Sequence, residues 1–283
     1  MSFLVVSDSG CDLTLDQANG MTLQIVPAWV SLKGSRFRDA HDLTRNEFYT
    51  LFDRLERPPE TEPPTTDEYS AVFWEAHSKQ RDVVAITISR QLSRSYHNAV
   101  AAARGVSPNI YVIDSQGASA MQDIMIERAL RLSQQGIGAR EAAELLDTKA
   151  TSTHAFIVVS DMTFFGKSAR IPRAIAAFGQ YLNLSMLLRL TDRGSLSPIS
   201  QSRDYEATLE RLVEHACRSL QLPAKVQFRI SHAGAMERVC LLVDLLTKRA
   251  GELDQNRLTI RELSPTMASH LGRGALGLVI AQS

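Results

Sequence analysis

Short apolar runs, each halted by a polar turn, alternate along the first half of the chain with longer stretches that carry apolar residues at helical spacing. Residues 3–6 are apolar and stop at Ser7-Asp8-Ser9-Gly10, which predicts a buried strand ending in a turn. Residues 23–32 predict a second strand region, interrupted by Pro27. Thr44 and Glu47 spell a capping box ahead of Phe48, Leu51, Phe52 and Leu55 at helical spacing, and Pro58-Pro59 ends that helix. A loop rich in proline and threonine, 60–66, leads to a second box, Thr65 with Glu68. The helix it opens carries Tyr69, Val72, Phe73 and Ala76. Residues 83–88 predict a strand, and a helix follows through Tyr96, Ala99, Val100 and Ala103 to Gly105. Residues 110–113 predict a strand ending in Asp114-Ser115. Helices are expected over 120–135 and 139–148, separated by Gly136 and Gly138. Strands alternating with helices argue for a mostly parallel sheet covered on both faces.

The second half reads differently. Residues 156–160 are strand-like, 161–173 basic and irregular, and 175–190 largely apolar and poor in charge. Asp192-Arg193-Gly194 signals a turn. An amphipathic helix is expected over 205–220, a strand over 226–231, a helix over 235–250 and a strand over 258–263. A glycine-rich segment precedes a last apolar run, 276–281. The expectation is an α/β protein of two domains, 1–150 and 151–283, the first with a mostly parallel sheet.

Composition narrows the function classes. The chain has 283 residues, 44% of them hydrophobic, enough for a large core without disulfides or metals. Lys plus Arg number 31 and Asp plus Glu number 31, which argues against a nucleic-acid footprint or a polybasic membrane patch. The three cysteines, Cys11, Cys217 and Cys240, are far apart and form no C-x-x-C, so neither a zinc site nor a disulfide framework is expected. The first residues lack a basic region and read as a strand rather than a signal peptide. No apolar stretch reaches the length of a membrane span. A cytoplasmic protein is the expectation.

The most informative segment is 89–96, where a strand hands over to a helix. Ser93 and Ser95 sit beside helix amides that lack intrahelical partners and carry partial positive charge, a place that stabilises a carboxylate or phosphate. The plainer reading makes either serine an N-cap. Asp8 and Asp114 each follow a strand. They could hold a metal, or they could orient loop amides and cap helices. Gly272-Arg273-Gly274-Ala275-Leu276-Gly277 spells the dinucleotide fingerprint, but it precedes a strand-like run instead of opening a helix, and that reading is rejected. Phe164-Phe165 and 175–190 could line an apolar cavity or be ordinary core. G-x-S-x-G, P-loop, EF-hand and H-E-x-x-H patterns do not occur.

Six elements in order resemble the DegV family of bacterial fatty-acid-binding proteins over residues 5–281. They are Val6-Ser7-Asp8-Ser9 for its V-x-D-S, Thr61-Glu62-Pro63-Pro64-Thr65 for T-S-Q-P-S, and Ile88 through Tyr96 for I-S-x-x-L-S-G-T-Y. Ile113-Asp114-Ser115 stands for I-D-S, Ser168-Ala169-Arg170-Ile171 for G-G-R-I, and His270 through Ala275 for H-x-G-P-G-A. The resemblance implies two α/β domains with one long-chain fatty acid buried between them, its carboxylate held by Thr61, Ser93 and His270 with Ser95 and Arg94 alongside. It also implies a partner fatty acid kinase, met by Arg170, Arg203 and His270, that phosphorylates the bound acid for phospholipid synthesis. The binding protein does no chemistry unaided and needs no cofactor or metal. Among the departures from the family pattern are Glu62 for serine, Arg94 for glycine, Arg273 for proline and Ser185-Met186 for the K-P that precedes the apolar strand. The two arginines could offset Glu62 near the headgroup or project into solvent. An acyl hydrolase or kinase-like enzyme, which needs a nucleophile beside a base or a nucleotide site, is the competing class. A lipid-responsive sensor is the third.

Overall fold

The computed structural model describes residues 2–147, 153–167, 184–219, 226–251 and 255–282. In chain order its elements begin with β1 (Leu4–Asp8), α1 (Leu15–Asn19), β2 (Leu23–Val26), β3 (Trp29–Leu32), β4 (Ser35–Arg38), α2 (Arg45–Phe52) and β5 (Glu60–Glu62). They continue with α3 (Thr66–Ser78), β6 (Val83–Thr87), α4 (Ser95–Val106), β7 (Ile110–Asp114), α5 (Ala120–Gln134) and α6 (Ala139–Asp147). The remainder are β8 (Thr153–Val159), α7 (Met162–Lys167), β9 (Ser185–Leu190), β10 (Leu196–Ser202), α8 (Tyr205–Ser219), β11 (Val226–His232), α9 (Met236–Ala250), β12 (Leu258–Glu262), α10 (Pro265–Leu271) and β13 (Leu276–Gln282). Two compact units result. The first comprises Met1–Arg45, Glu60–Ala150 and Ser264–Thr266, and the second Asn46–Pro59, Thr151–Leu263 and Met267–Ser283.

The first unit is built on a four-stranded parallel sheet in the order β2-β1-β6-β7. Every residue of β1 and β6 is buried, as strands covered on both faces require. On one face Val5, Val84, Ile86 and Ile113 form a core with Ile126 and Ala129 of α5 and Ala142 and Leu146 of α6. On the other, Leu4, Val6, Val83 and Ala85 pack with Tyr69 and Phe73 of α3 and with Ala99, Ala102 and Ala103 of α4. Thr65 caps α3 as expected: its hydroxyl accepts from the Glu68 amide (3.2 Å), and the Glu68 carboxylate accepts from the Thr65 amide (2.7 Å). Thr14 and Gln17 form an unforeseen second box at α1.

Residues 23–32, expected as one strand region, divide at Pro27 between two sheets. β2 joins the parallel sheet, while β3 sits at the centre of a small antiparallel sheet, β4-β3-β5. Lys33 (φ 49°) and Gly34 (φ 86°) join β3 to β4 as a two-residue turn with both residues left-handed, the geometry that matches strand twist.

The second unit has a six-stranded sheet, β10-β9-β8-β13-β11-β12, antiparallel except for β11 and β12, which α9 connects as a crossover. Phe156, Val158, Leu187, Phe228, Ile230, Leu276 and Leu278 from the strands share a core with Leu209 and Leu212 of α8 and Val239, Leu242 and Leu246 of α9. The turn read at Asp192-Arg193-Gly194 closes the β9–β10 hairpin, with Gly194 at φ 77° and the Thr191 amide donating to Ser195 O (2.8 Å).

Two expectations about this half change. Part of the stretch read as irregular, 161–173, is helical. Asp161 Oδ1 accepts from the amides of Thr163 and Phe164 (both 3.2 Å), an N-cap that starts α7, and Phe164 and Phe165 are buried in the core. The remainder of that stretch, with residues 175–183 of the apolar segment, lies outside the described residues. Residues 265–271, left without an element, form α10: Pro265 occupies the first position, and Gly272 (φ 82°) closes it, its amide donating to Ala268 O (2.9 Å). The dinucleotide-like glycines therefore bridge a helix end to β13.

The unit boundaries have a packing cause. Asn46–Pro59 belongs to the second unit because Phe48 and Phe52 stack at 4.8 Å and Phe52 meets Phe164 edge-on at 5.3 Å. Ser264–Thr266 belongs to the first because the Ser264 hydroxyl donates to Ser9 O (2.7 Å) and the Thr266 amide to Asp39 Oδ2 (2.9 Å).

Candidate ligand site at the carboxyl edge of the parallel sheet

From β1 the chain moves to β2 on one side, then returns to β6 on the other. The sheet's topological switch point therefore lies between β1 and β6, and ligands of open α/β sheets bind outside the carboxyl ends of strands there. Asp8 closes β1 and the 88–95 loop follows β6, so the segment singled out from the sequence stands at that edge.

Asp8 is buried (1% exposed) and organises the edge. Its Oδ1 accepts from the Gly10 amide and from Gln122 Nε2 (both 3.0 Å). Its Oδ2 accepts from the Ile88 amide (3.1 Å) and the Ser95 hydroxyl (2.5 Å), with the Tyr69 hydroxyl at 3.4 Å. Gly10 has no room for a side chain: a Cβ would lie 2.8 Å from Asp8 Oδ1 and 3.1 Å from Ile88 Cβ. Asp114 holds the Gln116 amide (2.8 Å) and the Arg90 amide (3.3 Å) and pairs with Arg90 Nε (3.2 Å). Both aspartates thus orient loop amides. No cluster of metal-ligating side chains occurs among the described residues.

Ser95 is directed inward and buried. It donates to Asp8, so in the 2.7 Å contact between the two hydroxyls Tyr69 donates and Ser95 Oγ accepts. Burial, reinforced by the Asp8 charge, pushes the Tyr69 phenol well above its ordinary range and keeps it a donor. Burial likewise raises the Cys11 thiol, with the charges of Asp123 and Asp8 adding to it, which leaves that cysteine an inert part of the core. Ser93 is half-buried, and its hydroxyl oxygen accepts from the Ser95 amide (3.2 Å). It caps from one residue before the N-cap position, which Arg94 fills without a side-chain cap bond. The ladder of α4 opens with the Asn98 amide donating to Arg94 O (3.0 Å), so the first-turn amides precede it.

Thr61 is half-buried at the middle of β5, opposite Val30. Asn98 Nδ2 donates to Pro64 O (2.7 Å), which ties the segment after β5 to α4. Three of the departures from the family pattern, Glu62, Arg94 and Arg273, have these surroundings. Glu62 points outward and pairs with Arg36 (2.6 Å), whose guanidinium lies 4.1 Å over the Trp29 ring. Arg94 is exposed. Arg273 is half-buried rather than projecting into solvent. Its guanidinium donates to Phe52 O (2.9 Å) and Leu55 O, satisfying carbonyls at the end of α2, and lies over Phe164 (5.4 Å).

His270 is half-buried in the last turn of α10, and Arg203 is exposed where β10 leads into α8; both lie in the second unit. Arg170 and its Ser168–Ile171 element lie outside the described residues. The first unit brings Ser93, Arg94 and Ser95 together on one loop. Asp8 as a hub matches one of its two sequence readings, the orienting of loop amides. Tyr69 read as a core position and Gln122 gave no signal, because each acts through a partner remote in sequence. No helix among the described residues is long and apolar enough to cross a membrane.

Known proteins resemble the chain in sequence and, where solved, in architecture. A DegV domain-containing protein of Staphylococcus aureus is 24% identical over 278 residues, 98% of each chain. A stearic acid-binding protein from Eubacterium ventriosum superposes with a TM-score of 0.87 at 24% identity, over 99% of this chain and 98% of that one. A fatty-acid-binding DegV family protein from Thermus thermophilus superposes with a TM-score of 0.85 at 25% identity, over the whole of both chains. The family model described as "Uncharacterised protein, DegV family" matches residues 2–283, and the chain belongs to the DegV family.

Proposed function

We propose that this protein binds a long-chain fatty acid, receives its carboxylate at the carboxyl edge of the parallel sheet, and presents it to a partner fatty acid kinase for phospholipid synthesis. The observation that carries the reading is the juxtaposition, at a switch point, of the Ser93 hydroxyl with a helix N-terminus, in a family whose structural relatives bind stearic and other fatty acids. Ser93, Thr61 and His270 are the proposed carboxylate donors, with Arg94 at the helix start. Burying about fifteen methylenes at roughly 0.8 kcal/mol each supplies on the order of 12 kcal/mol before association costs, so a few oriented donors suffice to fix the charged end.

The arrangement favours a binder over an acyl hydrolase. The buried serine beside a carboxylate, Ser95, donates directly to Asp8 with no imidazole between them, which is not how a serine nucleophile is activated. The kinase half of the reading rests on the family resemblance. There Arg203 and His270, with Arg170, serve the incoming phosphoryl group more than the resting carboxylate, since donors placed for a developing charge act mainly in the transition state.

The test is organic extraction and mass spectrometry of the purified protein, followed by titration of the delipidated protein with oleic acid. Recovery of an unesterified acyl chain is expected. Thr61→Ala and Ser93→Ala should each weaken binding by roughly 1.5–3 kcal/mol, the worth of a hydrogen bond to a charged group. A protein that yields no acyl species and binds no oleic acid refutes the reading. With a cognate kinase, His270→Ala should lower acyl-phosphate formation more than affinity; the reverse order refutes the division of labour.

A further inference from the structure

Asp8 grips the 88–95 loop at both ends. Its Oδ2 accepts from the Ile88 amide where the loop leaves β6 (3.1 Å) and from the Ser95 hydroxyl where the loop enters α4 (2.5 Å). Within the loop the amides of Leu92 and Ser93 both return to Ser89 O (2.9 and 3.0 Å), so the turn is closed on itself. Asp8 is in turn held from the far side by Gln122 and by the Gly10 amide. None of these bonds reaches the Ser93 side chain. The link that does is the Ser95 amide donating to Ser93 Oγ at 3.2 Å.

A hydroxyl has one proton and two lone pairs. With one lone pair taken by the Ser95 amide, the Ser93 proton is turned away from the helix and is left to donate. An anion needs that orientation. Where it points is set by where the Ser95 backbone sits, and that is set by a side chain with no freedom left: Ser95 Oγ is buried, donates to Asp8 and accepts from Tyr69 (2.7 Å).

Resting on the reading that Ser93 receives the ligand carboxylate, we propose that Asp8 and Ser95 are positioning residues that aim the Ser93 hydroxyl, and that Ser95 itself does not touch the ligand. The order of action runs from the Asp8 carboxylate to the Ser95 hydroxyl, through the Ser95 backbone amide, to Ser93 Oγ. A charge-assisted O–H···O⁻ bond is about twice as strong as a neutral one, which suits the first link to fixing the others.

The test is a double-mutant cycle on the full-length delipidated protein, with oleic acid affinity and thermal midpoint both measured. Ser93→Ala is expected to weaken oleic acid binding by about tenfold or more, and Ser95→Ala by about five- to tenfold. The Ser93→Ala, Ser95→Ala double variant should bind no more weakly than Ser93→Ala alone, because a lost aim costs nothing once the donor is gone. Ser95→Ala should still lower the thermal midpoint in the Ser93→Ala background, where it leaves affinity unchanged, and this separates aiming from mere stability. Should Ser95→Ala not fold, Tyr69→Phe takes its place. It removes the donor to Ser95 Oγ and should weaken binding only when Ser93 is present. Additive affinity losses, with Ser93→Ala effective by itself, overturn the positioning role and leave the proposed function standing. A Ser93→Ala protein with unchanged affinity overturns both.

Discussion

Asp39 supports a prediction whose sign is opposite to that of an aspartate held low by its partners. Only 1% of the residue is exposed. Its Oδ2 accepts from the Thr266 amide (2.9 Å) and the Thr266 hydroxyl, while its Oδ1 has no hydrogen-bond partner among the described residues. Burial pushes the acid up from 3.8 to about 6, outweighing the Thr266 bonds and the nearby charge of Arg45, which pull it down. A group whose folded value is raised adds stability that is complete below the unfolded value and is lost as pH rises through the folded one. The shift corresponds to roughly 3 kcal/mol between the extremes, and to roughly 1.4 kcal/mol between pH 8 and pH 5. The Asp39→Asn substitution keeps an amide oxygen for both Thr266 donors, puts an NH2 where Oδ1 lacks a partner, and removes the buried charge. At pH 8 the D39N protein should be as stable as wild type or more stable by about 1 kcal/mol, the amide being a weaker acceptor than the carboxylate it replaces. Between pH 8 and pH 5 wild type should gain on the variant. Urea denaturation followed by far-UV circular dichroism at pH 8, 7, 6 and 5 measures this difference. A variant more than about 1 kcal/mol less stable at pH 8, or a difference that does not move with pH, refutes the reasoning.

Three further outcomes follow from local geometry. Thr65→Ala removes the cap of α3 and should cost about 1 kcal/mol in chemical denaturation, with oleic acid affinity changed far less than by Ser93→Ala. Gly274→Ala should lower the thermal midpoint well beyond Gly136→Ala. Both glycines have positive φ (70° and 80°), but a Cβ at Gly274 would sit 2.0 Å from Arg238 Nη1, whereas one at Gly136 meets nothing within 4 Å. The same change should release Arg238 from Ser160 Oγ and Gly274 O (both 2.7 Å), so that removing Arg238 in the Gly274→Ala background costs little more stability.

What the sequence determined by itself was local or carried by pattern. The apolar runs that became β1, β6 and β7, the Thr65–Glu68 box and the turn at Gly194 depend on residues a few positions apart, and short-range backbone chemistry settles them wherever the segment lies. Six ordered motifs sufficed to indicate the family. The tertiary structure decided where polar side chains point and which distant segments meet. Ser93 and Ser95 are two residues apart and chemically alike, yet one caps a helix from the loop while the other is buried on Asp8, 87 positions away. Arg273, left open by the sequence between the headgroup and solvent, holds the Phe52 and Leu55 carbonyls more than 200 positions earlier in the chain. Asn46–Pro59 and Ser264–Thr266 change units because an aromatic cluster and a buried carboxylate claim them. Residue type fixes what a side chain can donate or accept, but the partner it meets is fixed by long-range packing, which no local periodicity encodes.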